Sequence, residues 1–419
     1  MSITAAAMNS CLPQPDEPWK RSPAWVWVGW LLWCVPLIVI CALMLHGAKA
    51  RRTVHTVYGN AARNWDAQVD LYGVRMSTDS GTGEAVVQST FAFLYPPSFL
   101  TVYAPFLWPP KPWGEVAWRV LAAFGMAWML RALIARQPRP STNVDFALLS
   151  LAVVPVCLGA LQMGQANAVL AVCMLAACLG LDAGRPWTVG VWMALGIAIK
   201  PFMLAPAALA VVLMPGCLLP MLVMVGLLLA SPFLTAPSAF VLKQYSLFLQ
   251  QTIGPCMNVS EDRFADFNGL LRGLGIEARG SLSTGVRAVA GMAMARWILR
   301  ARSRLARTDG ALLWLAASSS YLMLFNPMTE ANSYCILSVP MAICAWRWID
   351  SGDRWVGWSL LGAVPAMGIC SELIRPISRH LGGQFDLRFM PLMAMLFLVA
   401  VIARFPARSP IARARAASQ

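Results

Sequence analysis

The chain has 419 residues, 58% of them hydrophobic and only 12% charged, with a formal net charge of +14. A soluble domain carries about twice that charged fraction, so composition excludes an ordinary globular enzyme and leaves a polytopic α-helical membrane protein. The alternating strands of a membrane β-barrel are missing. The basic residues sit in short loops and the C-terminal tail, the positive-inside pattern, which argues against nucleic acid as a partner.

In chain order, residues 1–23 form a mixed polar leader containing Asp16 and Glu17, expected on the cytoplasmic side. The next apolar run, 24–45, has no small-residue cleavage site and reads as a retained helix. Further spans are expected at 93–108, 114–134, 144–162, 166–182, 187–199, 202–214, 217–232, 283–299, 310–325, 334–347, 355–373 and 389–403. The result is a single transmembrane domain over 24–403, a bundle of about 12–13 helices, with a basic cytoplasmic tail at 404–419. Tryptophans such as Trp25, Trp27, Trp30, Trp346, Trp348, Trp355 and Trp358 suit interfacial belts. The 11 cysteines lie mostly in apolar runs and form no CxxC pair, and there are only 3 histidines. Neither a metal site nor a cofactor is expected.

Two long polar inserts interrupt the apolar pattern, 46–92 and 233–282, and loops of this length in a compact fold are usually functional. Counting back from Arg404 and from Arg296–Arg307, both taken as cytoplasmic, puts 326–334 and 233–282 outside. Thirteen spans would then leave 46–92 inside. We place this loop outside, which requires that one of the short segments 93–108, 187–199 and 202–214 does not cross ~30 Å of hydrocarbon. The charges Lys49, Arg51 and Arg52 beside the loop oppose that placement.

Four polar constellations at or near membrane depth need a partner or a function. The first is 53–72, where Asp66 and Asp70 lie near Tyr58, Trp65 and Tyr72. Carboxylates suit general base work on a hydroxyl and aromatic faces suit a sugar ring; an interfacial amphipathic helix would equally put Asp66 and Asp70, four apart, on its wet face. The second is Gly164-Gln165-Ala166-Asn167, either a helix–helix turn capped by Asn167 or a paired amide site. The third is Lys200-Pro201, where the lysine either snorkels or meets a phosphate. The fourth is 326–334, with Asn326, Glu330 and Asn332 after a proline break, either a capping turn or a cavity lining. No Walker A, GxGxxG or HExxH pattern is present, so nucleotide-driven transport has no support.

In order and spacing these pieces resemble glycosyltransferase family 87, a GT-C family related to polyprenol-phosphate-mannose-dependent α-mannosyltransferases. The run 58–65 with Val69-Asp70-Leu71-Tyr72 resembles the family's first loop, and Phe93-Leu94-Tyr95-Pro96-Pro97 its entry to the next helix. Gly164-Gln165-Ala166-Asn167 resembles a "GQxN" element and Gly196–Pro201 a "KP" element. Asn268 and Arg272 match a weaker "N…R" element, and Asn326-Pro327 with Glu330 and Tyr334 a late "NPxxExxY" element.

The resemblance implies a GT-C fold in the plasma (inner) membrane and a polyprenyl-phosphate sugar donor, with a hexose such as mannose passed to a lipid or glycan acceptor at the outer face. The candidates for the base among this chain's own residues are Asp70, Asp66 and Glu330. The resemblance implies His55, Tyr58, Trp65, Tyr72, Tyr95, Gln165, Asn167, Lys200, Asn268, Arg272, Asn326 and Asn332 as substrate-binding. One departure stands out. Many members carry an Asp-Phe pair where this chain has Val54-His55. Either the base has moved, or His55 serves, or this branch is non-catalytic. A transporter of a lipid-linked sugar or organic anion is the rival function.

Overall fold

The structure, a computed structural model, describes residues 18–46, 53–72, 75–78, 85–88, 93–110, 112–138, 141–253, 264–272, 274–276, 280–371 and 385–405. Most of the leader, most of the tail and the 258–262 polar run lie outside the described residues.

The expected spans other than 93–108 appear as helices. They are α1 (Ala24–Leu45), α4 (Trp113–Ala135), α5 (Asn143–Met163), α6 (Asn167–Ala183), α7 (Pro186–Ile199), α8 (Leu204–Leu213), α9 (Leu218–Ala230), α12 (Gly280–Arg302), α13 (Arg307–Phe325), α14 (Cys335–Asp350), α15 (Arg354–Ile369) and α16 (Phe385–Arg404). Among the described residues four stretches are long and apolar enough to cross a bilayer outright: α1, α4, α5 and Pro215–Leu234, which includes α9. The protein is an all-α polytopic membrane protein. Between α1 and α4 lie two short helices, α2 (His55–Asp66) and α3 (Pro97–Tyr103), and an antiparallel hairpin of β1 (Arg75–Thr78) and β2 (Ala85–Gln88). Helices α10 (Ser238–Phe248) and α11 (Phe267–Arg272) occupy the second long insert.

The segment 93–108 does not form a full span. Its helix α3 has 7 residues and a 3₁₀ turn adds 3 more. That is about 15 Å of rise, half the hydrocarbon thickness. Pro96 and Pro97 hold the entry extended, so the helix cannot begin earlier. Without this segment twelve bundle helices remain among the described residues, and they alternate between two ends.

Helix α6 is the axis. It is buried over nearly its whole length and packs against α4, α7, α13 and α14. A helix that is apolar all round belongs in a core, and Asn167 at its start is carried inside with it. One end of the bundle is tied by charge: Arg136 pairs with Asp182 at 3.7 Å, Arg347 with Asp309 at 2.6 Å and Arg404 with Asp353 at 2.9 Å. The polar constellations collect at the opposite end.

The turn from α5 to α6 shows how they are set. Gly164 sits at φ 66, and Gln165 N–H reaches back to Ala160 O at 3.0 Å, closing the helix in a left-handed cap. A Cβ on Gly164 would lie 3.0 Å from the Arg119 guanidinium. The last carbonyls of α5 are all used. Arg119 donates Nε–H to Leu161 O at 2.9 Å and Nη2–H to Gln162 O at 3.0 Å; Val54 N–H meets Met163 O at 2.9 Å, and Trp118 Nε1–H meets Gly164 O at 3.0 Å.

Candidate active site

Two proline breaks bring a cation and a carboxylate to this end. Lys200 precedes Pro201 and is extended (φ −145°, ψ 123°), so α7 stops and the side chain leaves the helix line. Asn326 precedes Pro327 and ends α13 in the same way (ψ 129°). Thr329 closes that turn by donating to Asn326 O at 3.0 Å, and Met328 is held at φ 62, an uncommon left-handed conformation for such a residue. Glu330 then emerges extended and solvent-exposed.

The two groups meet through amides. Lys200 Nζ donates to Asn167 Oδ1 at 2.9 Å. Asn167 Nδ2 donates to Gln165 Oε1 at 2.9 Å and to Ser333 Oγ at 3.1 Å. Gln165 Nε2 donates to Glu330 Oε2 at 3.1 Å. The line Lys200–Asn167–Gln165–Glu330 therefore runs unbroken across α6, α7 and the turn after α13. Asn167 is 1% exposed and its amide is fully engaged, so it positions its neighbours. Lys200 also lies over the Tyr95 ring, 5.2 Å from its centroid. Asn332 Nδ2 approaches Met163 Sδ at 2.8 Å, beside Gln165.

The aromatic residues of the first loop pack inward. Helix α2 buries His55, Tyr58, Ala61 and Trp65 on one face. Tyr58 OH donates to Tyr95 OH at 2.8 Å, Tyr72 OH to Tyr95 O at 2.6 Å, and Trp65 Nε1–H to Thr235 Oγ1 at 3.1 Å. Tyr58 meets Tyr95, Phe99 and Tyr103 edge to face, and Tyr95 stacks on Phe99. These rings brace the lysine side of the network and are buried, so they offer no open face to a sugar.

The first-loop carboxylates lie elsewhere. Asp66 is exposed at the end of α2. Asp70 accepts from Lys243 Nζ at 2.9 Å and from Gln244 Nε2 at 2.8 Å, both on α10. The Lys243 hydrogen bond is the main reason its carboxyl lies below the usual range. A lowered folded value stabilises above the ordinary carboxylate pKa of about 4, and the gain is lost as pH falls through the folded value. With both partners exposed the pair contributes no more than about 1 kcal/mol. Asp70→Asn is thus expected to lower the thermal midpoint slightly at pH 7, with a gap to the parent that narrows as the pH of the melts is taken below the ordinary carboxylate pKa of about 4.

His55 is buried at 3% exposure, its Nδ1 against Tyr103 OH and its Nε2 3.5 Å from Glu115 Oε1. Both ring nitrogens face protein, which withholds the ring from an acceptor. Glu115 in turn lies 3.6 Å from Arg119 Nη1. This buried Glu115–Arg119 pair was not singled out from the sequence, although an acid and a base four apart inside an apolar span carry a signal of their own. Ser333 is the other addition. Asn268 and Arg272 lie apart from the amide line, on α11, where Asn268 Nδ2 donates to Ser283 Oγ at 3.0 Å. Asn326 serves the turn, its Nδ2 3.4 Å from Thr329 Oγ1. Among the described residues no group of three His, Cys, Asp or Glu side chains could hold a metal.

The all-α bundle thus gathers a lysine, two amides and an exposed carboxylate at one end. The model of glycosyltransferase family 87 matches residues 93–327, more than half of the chain, and the chain belongs to that family. It is a membrane glycosyltransferase. The match holds Tyr95, Gln165, Asn167, Lys200, Asn268, Arg272 and Asn326, and leaves α2 and Glu330 outside its limits. No curated protein matches the chain.

Proposed function

We propose that the protein transfers a hexose, mannose being the leading candidate, from a polyprenyl-phosphate sugar to a lipid or glycan acceptor at the outer face of the cell membrane. The observation that carries this reading is the continuous line from Lys200 to Glu330. The acceptor hydroxyl oxygen attacks the anomeric carbon while the bond from that carbon to the phosphate oxygen breaks. The electron pair leaves with the phosphate, and the acceptor proton passes to Glu330. Lys200 meets the charge that grows on the phosphate. A single phosphate on the donor needs no nucleotide.

Topology supports the outer face. Taking each of the twelve bundle helices among the described residues as one crossing, the short α8 included, the number is even, so a basic tail held inside brings the start of α1 inside as well. The loops bearing Lys200, Glu330 and 53–72 then share the outer side. The charge-tied end, with Arg136, Arg347 and Arg404, becomes cytoplasmic.

The test is transfer by purified protein from a labelled polyprenyl-phosphate mannose to membrane lipid extract. Lys200→Gln is expected to cut kcat about 10²–10³-fold, as loss of one preorganised donor does. Full activity of this variant would remove Lys200 from the reaction, and a parent inactive with every polyprenyl-phosphate hexose would remove the donor class.

A further inference from the structure

Glu330 is carried by a turn that needs support from outside itself. Among the described residues its carboxylate has one hydrogen-bond partner, Gln165. Its backbone follows the proline break at Asn326-Pro327 and Met328 at φ 62. A left-handed residue other than glycine persists only where the surrounding structure fixes it. Here the second long insert does so, through one residue that bonds to both flanks of Glu330. Ala265 N–H donates to Thr329 O at 2.7 Å, and Ala265 O accepts from Tyr334 O–H at 2.9 Å. Ala265 and Tyr334 are fully buried, so bulk water does not compete for these bonds. The chain is thus gripped one residue before Glu330 and four residues after it. A third contact lies at the end of α13, where Phe267 packs on Phe325 with ring centroids 5.6 Å apart.

The residues around Ala265 keep it in place. Asp266, itself buried, caps α11 by accepting from Gly269 N–H at 2.8 Å. Asn268 Nδ2 donates to Ser283 Oγ at 3.0 Å, which ties α11 to α12. Position 269 has room only for glycine: a Cβ there would lie 2.4 Å from Phe264 O, so the backbone before Ala265 would have to shift. These side-chain bonds run within the insert and to α12, and the insert reaches the flanks of Glu330 through the backbone of Ala265.

We infer that residues 264–269 are a clamp on the Glu330 turn, and that Tyr334 and Gly269 are positioning residues for sugar transfer. They hold the carboxylate where Gln165 meets it and where an acceptor hydroxyl can reach it. The inference rests on the proposed role of Glu330 as the base. Proton transfer asks for the base within hydrogen-bond reach of the hydroxyl, and a misplacement of about 1 Å can cost about 10²-fold in rate. With a single side-chain bond, Glu330 takes its place from its backbone, and the backbone takes its place from Ala265.

The experiment uses purified full-length protein in nanodiscs. It reads transfer from labelled polyprenyl-phosphate mannose and hydrogen exchange of the peptide 326–334. Tyr334→Phe removes only the O–H that Ala265 O accepts. It is expected to lower kcat about ten- to hundredfold, to leave KM within about twofold, and to speed exchange across 326–334. Gly269→Ala, on a different element, should do the same. In a Glu330→Gln background, Tyr334→Phe should cost less than about twofold more, because groups that act as a unit are not additive. An equal loss in both backgrounds would make Tyr334 a support of the fold alone and overturn the inference, and so would parent kcat in Tyr334→Phe. Glu330→Gln at the parent rate, or a parent inactive with this donor, with exchange still raised by Tyr334→Phe, would sink the reading of the site and spare the clamp. A crippled Glu330→Gln beside a Tyr334→Phe of parent kcat and exchange would do the reverse.

Discussion

Glu330→Gln is expected to lower sugar transfer by about 10²–10⁴-fold, the range associated with loss of a positioned general base, while leaving the fold and donor binding intact. The substitution is close to isosteric. A glutamine carbonyl at this position still accepts from Gln165 Nε2, which now donates to Glu330 Oε2 at 3.1 Å, so the amide line keeps its geometry and only the proton acceptor is lost. The loss should fall on kcat, because an interaction made only as the hydroxyl gives up its proton does not contribute to ground-state binding. Asp66→Ala and Asp70→Ala are the comparisons. Asp66 is solvated and Asp70 is held by Lys243 and Gln244, so both should retain transfer within a few-fold. If Glu330→Gln works at the parent rate while Asp70→Ala does not, the base lies in the first loop and Glu330 has no part in proton transfer.

The helices were legible because bilayer-length apolar runs are a one-dimensional signal, and α1, α4, α5 and α16 start and stop within a few residues of the breaks in hydropathy. Segment 93–108 was misleading for a local reason: its aromatic and apolar side chains are dense enough to read as a span, yet Pro96 and Pro97 confine the helix to the few residues after them. The residue types at the candidate site were legible too, because Gln165, Asn167, Lys200 and Glu330 are polar groups at breaks in apolar helices. Their connection was not, since 165 residues of chain separate Gln165 from Glu330 and no periodicity encodes a contact across that distance. The first loop shows the complementary case. Its aromatic and acidic residues suited a sugar, but only the packing of α2 could tell that Tyr58 and Trp65 face inward and that Asp70 faces α10.

Arg119→Met is expected to destabilise the protein by about 3–5 kcal/mol, as breaking a buried ion pair does, read from thermal unfolding in detergent. The guanidinium is 1% exposed and is committed beyond Glu115: it donates to Leu161 O, to Gln162 O, to Glu115 O at 3.1 Å and to Thr53 Oγ1 at 3.1 Å. Two of these acceptors are terminal carbonyls of α5: Gln162 O, which lies beyond the helix's own bonds, and Leu161 O, which also accepts from Gly164 N–H at 3.1 Å. That separates two explanations of the same loss. If Arg119 mattered only as the partner of Glu115, the apolar pair Glu115→Leu/Arg119→Met would recover most of the stability, since replacing both members of a buried ion pair is often neutral. If it matters as the cap of α5, the double variant stays well below the parent, because the charge-assisted bonds to Leu161 O and Gln162 O, about 1.5–3 kcal/mol each, are lost whatever occupies position 115. The cap reading also links stability to catalysis. The turn that Arg119 holds carries Gly164 and Gln165, and Gln165 is the group that touches Glu330. Arg119→Met should therefore lose transfer at temperatures where most of the bundle is still folded, whereas a cavity made at the far end, such as Trp346→Ala, should lose transfer only as the whole protein melts.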